Sequence, residues 1–424
     1  MRLRKTITTI VATAILLAGW QLFAVIANQP ELIPSLPRLV RTLCEWLVSG
    51  SFYQSVGATI FRGVLGMSIS FVCAIGMAGL FARFEWVYEL FRPLLAIMRS
   101  IPVISFILLA LIFLNPESIP LMIAFLTMFP LLTENLTRGI LDLRPGLSIM
   151  ARQFHIKRSN VLFQIIYPQL KPFLYSGLAS AAGFGWRAII MGEVLSQCAF
   201  GIGSEMKRAQ NFIAVPELLA WTIVAVFISF FFDKGISKVA DITPKISFAN
   251  EDQTIPTPTL SVLDTKDISY QYGIQHFSHS FQKGIIYGIS APSGKGKTTL
   301  LNLIGGILLP TEGEIHPTRH FGIATIFQQP QLLPHLTAEE NIILPLSSFL
   351  TEEKARRIAQ KHLQEMEMEP FGNRYPKELS YGQQQRIAIA RALAYPSPLL
   401  LMDEPRKWIR WRCTVGRWDV LCVP

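Results

Sequence analysis

The sequence is poor in charge and in cysteine. Only 16% of its 424 residues are Asp, Glu, Lys or Arg, whereas a soluble globular chain carries about 25%. The five cysteines are scattered and show neither CxxC nor metal-ligand spacing, which argues against a zinc site and a disulfide framework. No aromatic and basic patch accompanies the net charge of +10, so we expect no nucleic-acid partner.

Long apolar runs fill the first part of the chain, and half of all residues are hydrophobic. A helix that crosses a bilayer needs about 20 apolar residues, and we therefore predict six transmembrane helices and lipid as a partner. The candidates are residues 7–27, 58–82, 94–114, 119–137, 173–196 and 213–232. The first run follows the basic start "MRLRK", and a cleaved signal peptide is the alternative for it.

Basic residues are concentrated between the fourth and fifth predicted spans. They are Arg138, Arg144, Arg152, Lys157, Arg158 and Lys171, against the two acids Glu134 and Asp142. Loops rich in Lys and Arg stay in the cytoplasm, so this loop and both chain ends are expected there. The prediction is a multi-pass protein of the bacterial cytoplasmic (inner) membrane.

The fifth predicted span carries small residues and two charges. Gly177, Ala181 and Gly185 stand four apart, a spacing that lets two helices approach closely. Arg187 and Glu193 are candidates for function because ionisable groups in a membrane are costly. For Glu193 a position at the membrane surface is nearly as good an interpretation.

The chain changes character after the last span. Residues 233–260 are rich in charge, Pro and Thr and are interpreted as a linker, and a soluble α/β domain is predicted from residue 261 to residue 405. This divides the chain into a transmembrane domain (1–232), the linker, the α/β domain and a tail (406–424).

A phosphate-binding loop is predicted in "GIIYGISAPSGKGKTTLLNLIGG", where a short strand, a Gly-rich turn and an apolar helix follow one another. Such a loop offers backbone N–H groups at a helix N-terminus, a lysine for the phosphates and a hydroxyl for Mg²⁺. The candidate ATP-binding residues are Ser293, Gly294, Lys295, Gly296, Lys297, Thr298 and Thr299. Ala291 stands where this pattern normally begins with Gly.

Three further motifs follow in order: "IFQQPQLLPHLTAEENI", "ELSYGQQQRIAIARAL" and "PLLLMDEP". Together with the phosphate loop they resemble the ATP-binding subunit of ABC transporters. The resemblance implies that Gln328 is the Q-loop glutamine, that Asp403 is the Walker B aspartate and that Glu404 is the catalytic glutamate. It assigns Ser380, Gly382 and Gln383 to the signature, usually LSGGQ, with Tyr381 at a position normally Gly. Tyr272 matches the aromatic residue that stacks on adenine.

The resemblance implies ATP and Mg²⁺ as cofactors. Thr298, Gln328 and Asp403 would hold the metal ion, which offsets the charge that develops on the phosphates. Glu404 would polarise the attacking water. Two such domains sandwich two nucleotides in this family, so the partner is expected to be a second copy or another half-transporter.

The segment from Leu147 to Met206 resembles importer permeases of the nitrate/sulfonate/taurine group. Their cytoplasmic loop carries an "EAA…G…P" motif that docks on the ATPase near its Q-loop. Ala151, Arg152 and Pro168 fit the motif, while His155 stands in place of its glycine. An ordinary amphipathic surface helix is the alternative for residues 145–168.

The resemblance implies an all-α membrane permease domain followed by an α/β P-loop NTPase domain of the ABC type. The implied function is ATP-driven import of a small solute of the sulfonate, nitrate/bicarbonate or vitamin-precursor class. An extracytoplasmic substrate-binding protein is then a further expected partner. We predict a fused permease-ATPase half-transporter.

The last residues do not match the family. After Glu404 the opposite-site loop and the switch histidine are expected, and "RKWIRWRCTVGRWDVLCVP" resembles neither. We therefore expect an incomplete ATPase domain, an aberrant tail and a sheet with one unpaired edge. The alternative function is a truncated or frameshifted product that binds nucleotide without hydrolysing it productively.

Overall fold

The computed structural model describes residues 2–240, 244–253, 262–271, 273–282, 284–292, 294–316, 323–403 and 419–423. The chain divides into two compact units. The first comprises Met1–Asp142 and Leu170–Ile242, and the second comprises Leu143–Gln169 and Thr243–Pro424. The basic loop between two helices of the first unit therefore packs as part of the second.

Apolar helices build the first unit. They are α1 (Arg2–Ala27), α2 (Leu36–Trp46), α3 (Gly50–Arg83), α4 (Glu85–Ser100), α5 (Val103–Phe113), α6 (Ile119–Leu141), α9 (Tyr167–Ser196), α10 (Ile202–Asn211) and α11 (Val215–Ala240). The intervening loop forms α7 (Pro145–Gln153) and α8 (Arg158–Asn160), and a π-helical turn (Val161–Ile166) leads from α8 into α9.

The helices of the described residues agree with the predicted spans at four of six places, and at a fifth if one bent pair of helices is counted as a span. Four stretches are long and apolar enough to cross a membrane, and α4 with α5 forms a fifth if this bent pair is one span. The four are Gly50–Arg83, Ile119–Leu141, Arg158–Ser196 and Val215–Lys238. The apolar part of α1, Val11–Ala27, is shorter than these.

The third predicted span, residues 94–114, is not one straight helix. The axes of α4 and α5 differ by 94° across Ile101 and Pro102. Ile101 has extended backbone, φ −70° and ψ 129°, because the ring of a proline disfavours the helical conformation of the residue before it. The apolar run hides this break, since both helices are apolar.

Small residues bring α9 against α6, as the sequence predicts. A Cβ added at Gly185 would overlap the side chain of Met128, and one added at Gly177 would stand 3.0 Å from the Cβ of Asn135. Ala181 is fully buried on the same face. The prediction of a close-packing face is confirmed.

Glu193 lies in a buried polar network. Its carboxylate accepts hydrogen bonds from Arg62 Nη1 at 2.8 Å, from Thr59 Oγ1 at 3.0 Å and from the backbone N–H of Gly203 at 3.0 Å. Arg62 also pairs with Glu117 at 2.6 Å. A buried carboxylate needs such partners, and here they tie α3 and the start of α10 to the end of α9. Glu193 is therefore buried among the helices of the first unit, and its position at the membrane surface stays a prediction.

The second unit contains two sheets with helices. Its strands are β1 (Val262–Tyr270), β2 (Ile274–Gln282), β3 (Tyr287–Gly288), β4 (Glu312–His316), β5 (Ala324–Ile326), β6 (Leu399–Asp403) and β7 (Asp419–Val423). Its further helices are α12 (Lys297–Ile304), α13 (Ala338–Leu346), α14 (Glu352–Glu365) and α15 (Tyr381–Ala394). One sheet is antiparallel with the order β2-β1-β4, and the other has the order β3-β7-β6-β5 with parallel pairing.

The expectation of an unpaired sheet edge beside β6 is wrong for the described residues. Strand β7 pairs with β6 from Leu399↔Asp419 to Asp403↔Val423, and it pairs with β3 on its other side. The run "DVLCV" has the short apolar composition of a sheet strand, a signal that the irregular sequence before it obscures. The assignment of residues 406–418 lies outside the described residues.

The interpretation of residues 233–260 as a linker changes at its start. Helix α11 continues to Ala240, eight residues past the predicted end of the span. Residues 244–253 are without helix or strand but are packed: Ile246 and Phe248 lie against two hydrophobic clusters of the second unit. We call residues 244–253 the strap.

Candidate functional site

The phosphate loop joins β3 to the N-terminus of α12. Gly294 and Gly296 have φ values of 80° and 83°, a conformation that side chains rarely adopt. A Cβ on Gly296 would also stand 2.9 Å from the carbonyl oxygen of Gly273. Ala291 is absent from the described non-Gly residues with positive φ, so its replacement of the usual Gly brings no strain of this kind.

Two predicted metal ligands meet at the start of α12. Thr298 Oγ1 donates a hydrogen bond to Asp403 Oδ2 at 3.1 Å, although the two residues are 105 positions apart. Parallel strands β3 and β6 bring them together, because their carboxyl ends lie at one edge of the sheet. A hydroxyl and a carboxylate are the oxygen ligands that Mg²⁺ prefers, so this pair fits the ion.

Lys297 is the first residue of α12. Its Nζ donates to the carbonyl oxygens of Ala291 at 2.7 Å and Pro292 at 3.3 Å. The ammonium group therefore contacts the backbone of the loop that is predicted to bind the phosphates. Lys295, Gly296 and Thr299 lie in the same turn and first helical turn.

Gln328 follows strand β5, and its backbone carbonyl is held by helix α15. Tyr381 Oη donates to this oxygen at 2.9 Å and Gln385 Nε2 donates to it at 3.1 Å. Tyr381 is the residue that departs from the usual signature Gly. Its side chain thus joins the signature segment to the Q-loop segment, a contact that a glycine cannot make.

The signature residues form the start of α15. Ser380 is the N-cap: its hydroxyl accepts from the backbone N–H of Gln383 at 3.3 Å, and Gln383 Oε1 accepts from the backbone N–H of Ser380 at 2.9 Å. This reciprocal pair is a capping box. Gly382 is in the first turn, where free N–H groups and the helix dipole favour an anion.

Arg391, near the end of α15, is the largest fully buried side chain of the described residues. Its guanidinium donates to the carbonyl oxygens of Gln331 and Pro330, both at 2.8 Å. The ring of Phe154 lies 5.4 Å from its Cζ. Burial lowers the pKa of Arg391 to about 10. One cation therefore links the Q-loop backbone to the basic loop.

The basic loop docks on the ATP-binding unit through apolar residues of α7 and its continuation. Phe154 packs edge-on against Tyr395, with ring centroids 5.2 Å apart. Burial raises the pKa of Tyr395 to about 12. The shared core comprises Leu147, Met150, Ala151, Phe154, Ile156 and Ile165 of the loop with Ala324, Ile326, Leu333, Leu336, Leu344, Ala392, Tyr395 and Leu400. The alternative of an ordinary surface helix is wrong.

His155 stands in place of the glycine of the docking motif and has a left-handed backbone, φ 47°. The position thus keeps the conformation for which glycine is suited. His155 Nδ1 lies 3.2 Å from the carbonyl oxygen of Gln153. The loop geometry is retained at the cost of some backbone strain.

The strap forms hydrogen bonds with the docked loop, in addition to the apolar contacts described above. Asn160 Nδ2 donates to the carbonyl oxygen of Ser247 and to Ser347 Oγ, and Asn160 Oδ1 accepts from the backbone N–H of Ser247, all at 2.8 Å. Gln164 Nε2 donates to the carbonyl oxygen of Pro244 at 3.0 Å. The strap thus bridges the basic loop and the helical part of the ATP-binding unit.

Three predicted site residues, Tyr272, Ser293 and Glu404, lie outside the described residues. Motif reading missed Arg391, Phe154 and Asn160. The signal for Arg391 is weak, since an arginine in a helix is usually exposed. No group of three or more His, Cys, Asp or Glu side chains suited to a metal occurs within the described part of the chain.

Comparison with protein families agrees with this geometry. Residues 274–407 match the model for "ABC transporter", and residues 70–233 match the model for "Binding-protein-dependent transport system inner membrane component". The chain belongs to the ABC transporters. It fuses an inner-membrane permease domain to an ABC ATPase domain, and it is a multi-pass protein of the inner membrane with a cytoplasmic ATPase.

The curated relatives of the ABC ATPase domain include import proteins. A spermidine/putrescine import ATP-binding protein of Nitrosomonas europaea is 36% identical over 160 residues, which cover 34% of this chain and 44% of that protein. An Fe(3+) ions import ATP-binding protein of Rhizobium etli is 38% identical over 142 residues, 31% of this chain and 40% of that protein. The chain thus spans less than half the length of these relatives.

A solved structure is also similar in sequence. It is the dimeric, post-hydrolysis state of an ATP-binding cassette bound to ADP and Pi, with 31% identity and a TM-score of 0.34. The match covers 38% of this chain and 87% of that chain.

Proposed function

We propose that the chain imports a small solute across the inner membrane and that ATP hydrolysis drives the import. The observation that carries the proposal is that the loop joining two permease helices is part of the ATP-binding unit. The loop between permease helices α6 and α9 forms one hydrophobic core with the ABC ATPase. A conformational change at the ATP site can therefore be transmitted to the permease helices through this loop, and no interface between separate subunits is needed for it.

ATP would bind with its phosphates on the loop of Gly294, Lys295 and Gly296. Thr298 and Asp403 would hold Mg²⁺, with Gln328 as a further ligand, and the ion when bound neutralises charge on the phosphates. Lys297 would contact the β- and γ-phosphates, and Ser293 and Thr299 would complete the loop. Glu404 would accept the proton of the attacking water, and Tyr272 would stack on the adenine.

Two copies are needed for a complete site in this proposal. The N-terminus of α15, with Ser380, Gly382 and Gln383, would approach the γ-phosphate of ATP bound to the other copy. This helix end is accessible, because Ser380 is exposed and Gly382 and Gln383 are half-buried. A homodimer supplies two permeases and two ATPases, and another half-transporter is the alternative partner.

The solute is delivered, in this proposal, by an extracytoplasmic substrate-binding protein. The relatives of the ABC ATPase domain are named for spermidine and putrescine, for glucose and for Fe(3+). Such different solutes share one kind of ATPase, so its sequence carries no information about the substrate. The substrate class, sulfonate, nitrate/bicarbonate or vitamin precursor, must be read from the permease.

The experiment compares ATP hydrolysis by the purified full chain in lipid nanodiscs with that of Glu404→Gln. Import predicts steady hydrolysis by the wild type and its loss in the variant. Loss of the general base costs about 10²-fold or more. A well-folded dimer that binds ATP without turnover would instead support the alternative of a nucleotide-binding product.

A further inference from the structure

Arg187 lies on the exposed face of α9, deep within a helix that can span the membrane. It precedes Ser196, the last residue of α9, by nine residues, or about 14 Å along the axis. The hydrocarbon layer is about 30 Å thick. With the predicted span 173–196 as the segment that crosses the membrane, the side chain starts near the middle of the layer.

The arginine has no partner within the described part of the chain. No hydrogen bond, ion pair or ring contact there involves Arg187, whereas Arg62 of the same unit is paired with two glutamates. An unpaired guanidinium facing lipid tails is costly, and such groups almost always face the interior of a bundle or a water-filled cavity. The exposed face of α9 is therefore unsuited to lipid.

The same face of α9 has room beside the arginine. Ser176, Ser180 and Gly183 precede Arg187 at steps of four, three and four residues, which places all of them on one side of the helix. None of these side chains is fully buried, and a Cβ added at Gly183 meets nothing within 4 Å. The opposite face, with Gly185, is occupied by α6.

We propose that Arg187 lines the solute pathway between two copies of the chain and selects solutes that carry a carboxylate, sulfonate or phosphate group. This rests on the proposed function, because the pathway exists only in a transporter. A guanidinium binds such oxyanions through two parallel hydrogen bonds. Two copies place two positive charges beside one pathway. These charges disfavour the binding of cationic solutes and do not strengthen the binding of neutral ones.

The test measures charge preference at Gly183, one helical turn from Arg187, in the full chain in nanodiscs. Gly183→Cys is made in a variant whose five natural cysteines are serine. Its modification rates are measured with the anionic reagent 2-sulfonatoethyl methanethiosulfonate and the neutral reagent methyl methanethiosulfonate. The ratio of the two rates is compared among Arg187, Arg187→Lys and Arg187→Gln.

We expect both reagents to reach the cysteine from water. The anionic-to-neutral ratio should fall at least about threefold in Arg187→Gln, the factor for unit charges about 6 Å apart in water, and should be retained in Arg187→Lys. A cysteine unreactive to both reagents, or a ratio unchanged in Arg187→Gln, would overturn the inference. The proposed function is tested separately by ATP hydrolysis. It fails if the wild type does not hydrolyse ATP, independently of the labelling result.

Discussion

Arg391 offers the sharpest test of how the ABC ATPase holds its Q-loop and the docked permease loop together. In Arg391→Met the carbonyl oxygens of Pro330 and Gln331 lose their donor, at about 1–3 kcal/mol each. The contact with Phe154 adds about 1–2 kcal/mol. Removal of the buried charge offsets part of this loss of unfolding free energy. Burial lowers the pKa of Arg391 from 12.5 to about 10, so burying the charge costs about 3 kcal/mol.

The net expectation is a loss of about 0–5 kcal/mol of unfolding free energy, with a midpoint of about 2–3 kcal/mol. For a domain of this size about 3 kcal/mol lowers the transition temperature by about 6–12 °C. Scanning calorimetry of the full chain in detergent measures this, and the transition that MgATP raises identifies the ATP-binding unit. Arg386→Met on the same helix is the matched control, because Arg386 is partly exposed and lies 3.4 Å from the carbonyl oxygen of Met366 and 3.6 Å from the carboxylate of Glu367. Equal transition temperatures for the two variants would show that the buried contacts of Arg391 do not stabilise the unit.

The remaining predictions concern three other contacts of the same unit. Tyr381→Phe removes one donor to Gln328 O and should slow ATP hydrolysis about fivefold, which corresponds to about 1 kcal/mol. An unchanged rate would show that this hydrogen bond does not affect hydrolysis. Asn160→Ala removes three hydrogen bonds, so limited proteolysis should cut the strap at least tenfold faster. Ser247→Ala is the silent control, since Ser247 bonds there through its backbone. His155→Gly should raise the transition temperature by a few degrees, about 1 kcal/mol, and a fall would show that the imidazole matters more than the strain at φ 47°.

Sequence reasoning succeeds here where the signal is local. The phosphate loop, the signature helix and the strand before Asp403 each occupy a few consecutive residues, and their chemistry follows from residue type and spacing. The transmembrane helices follow from the length of apolar runs. The contact between Thr298 and Asp403 was predictable only because the family order placed both at one sheet edge.

The contacts that could not be predicted join distant positions. Tyr381 bonds Gln328 across 53 residues and Asn160 bonds Ser247 across 87 residues. Neither pair carries a pattern, since each depends on packing in three dimensions. The burial of Arg391 could not be predicted either. It depends on two backbone carbonyls and on an aromatic ring from the permease loop, which are distant in sequence.

ATP-driven import is tested most directly by the Mg²⁺-dependent ATP hydrolysis of the full chain in nanodiscs, measured beside Asp403→Asn. We expect hydrolysis by the wild type that requires Mg²⁺ and falls by at least about 10²-fold in the variant, because Asp403, which accepts a hydrogen bond from Thr298, would be a ligand of the ion. Hydrolysis that persists in Asp403→Asn, or a folded wild-type dimer that never turns ATP over, would contradict this expectation.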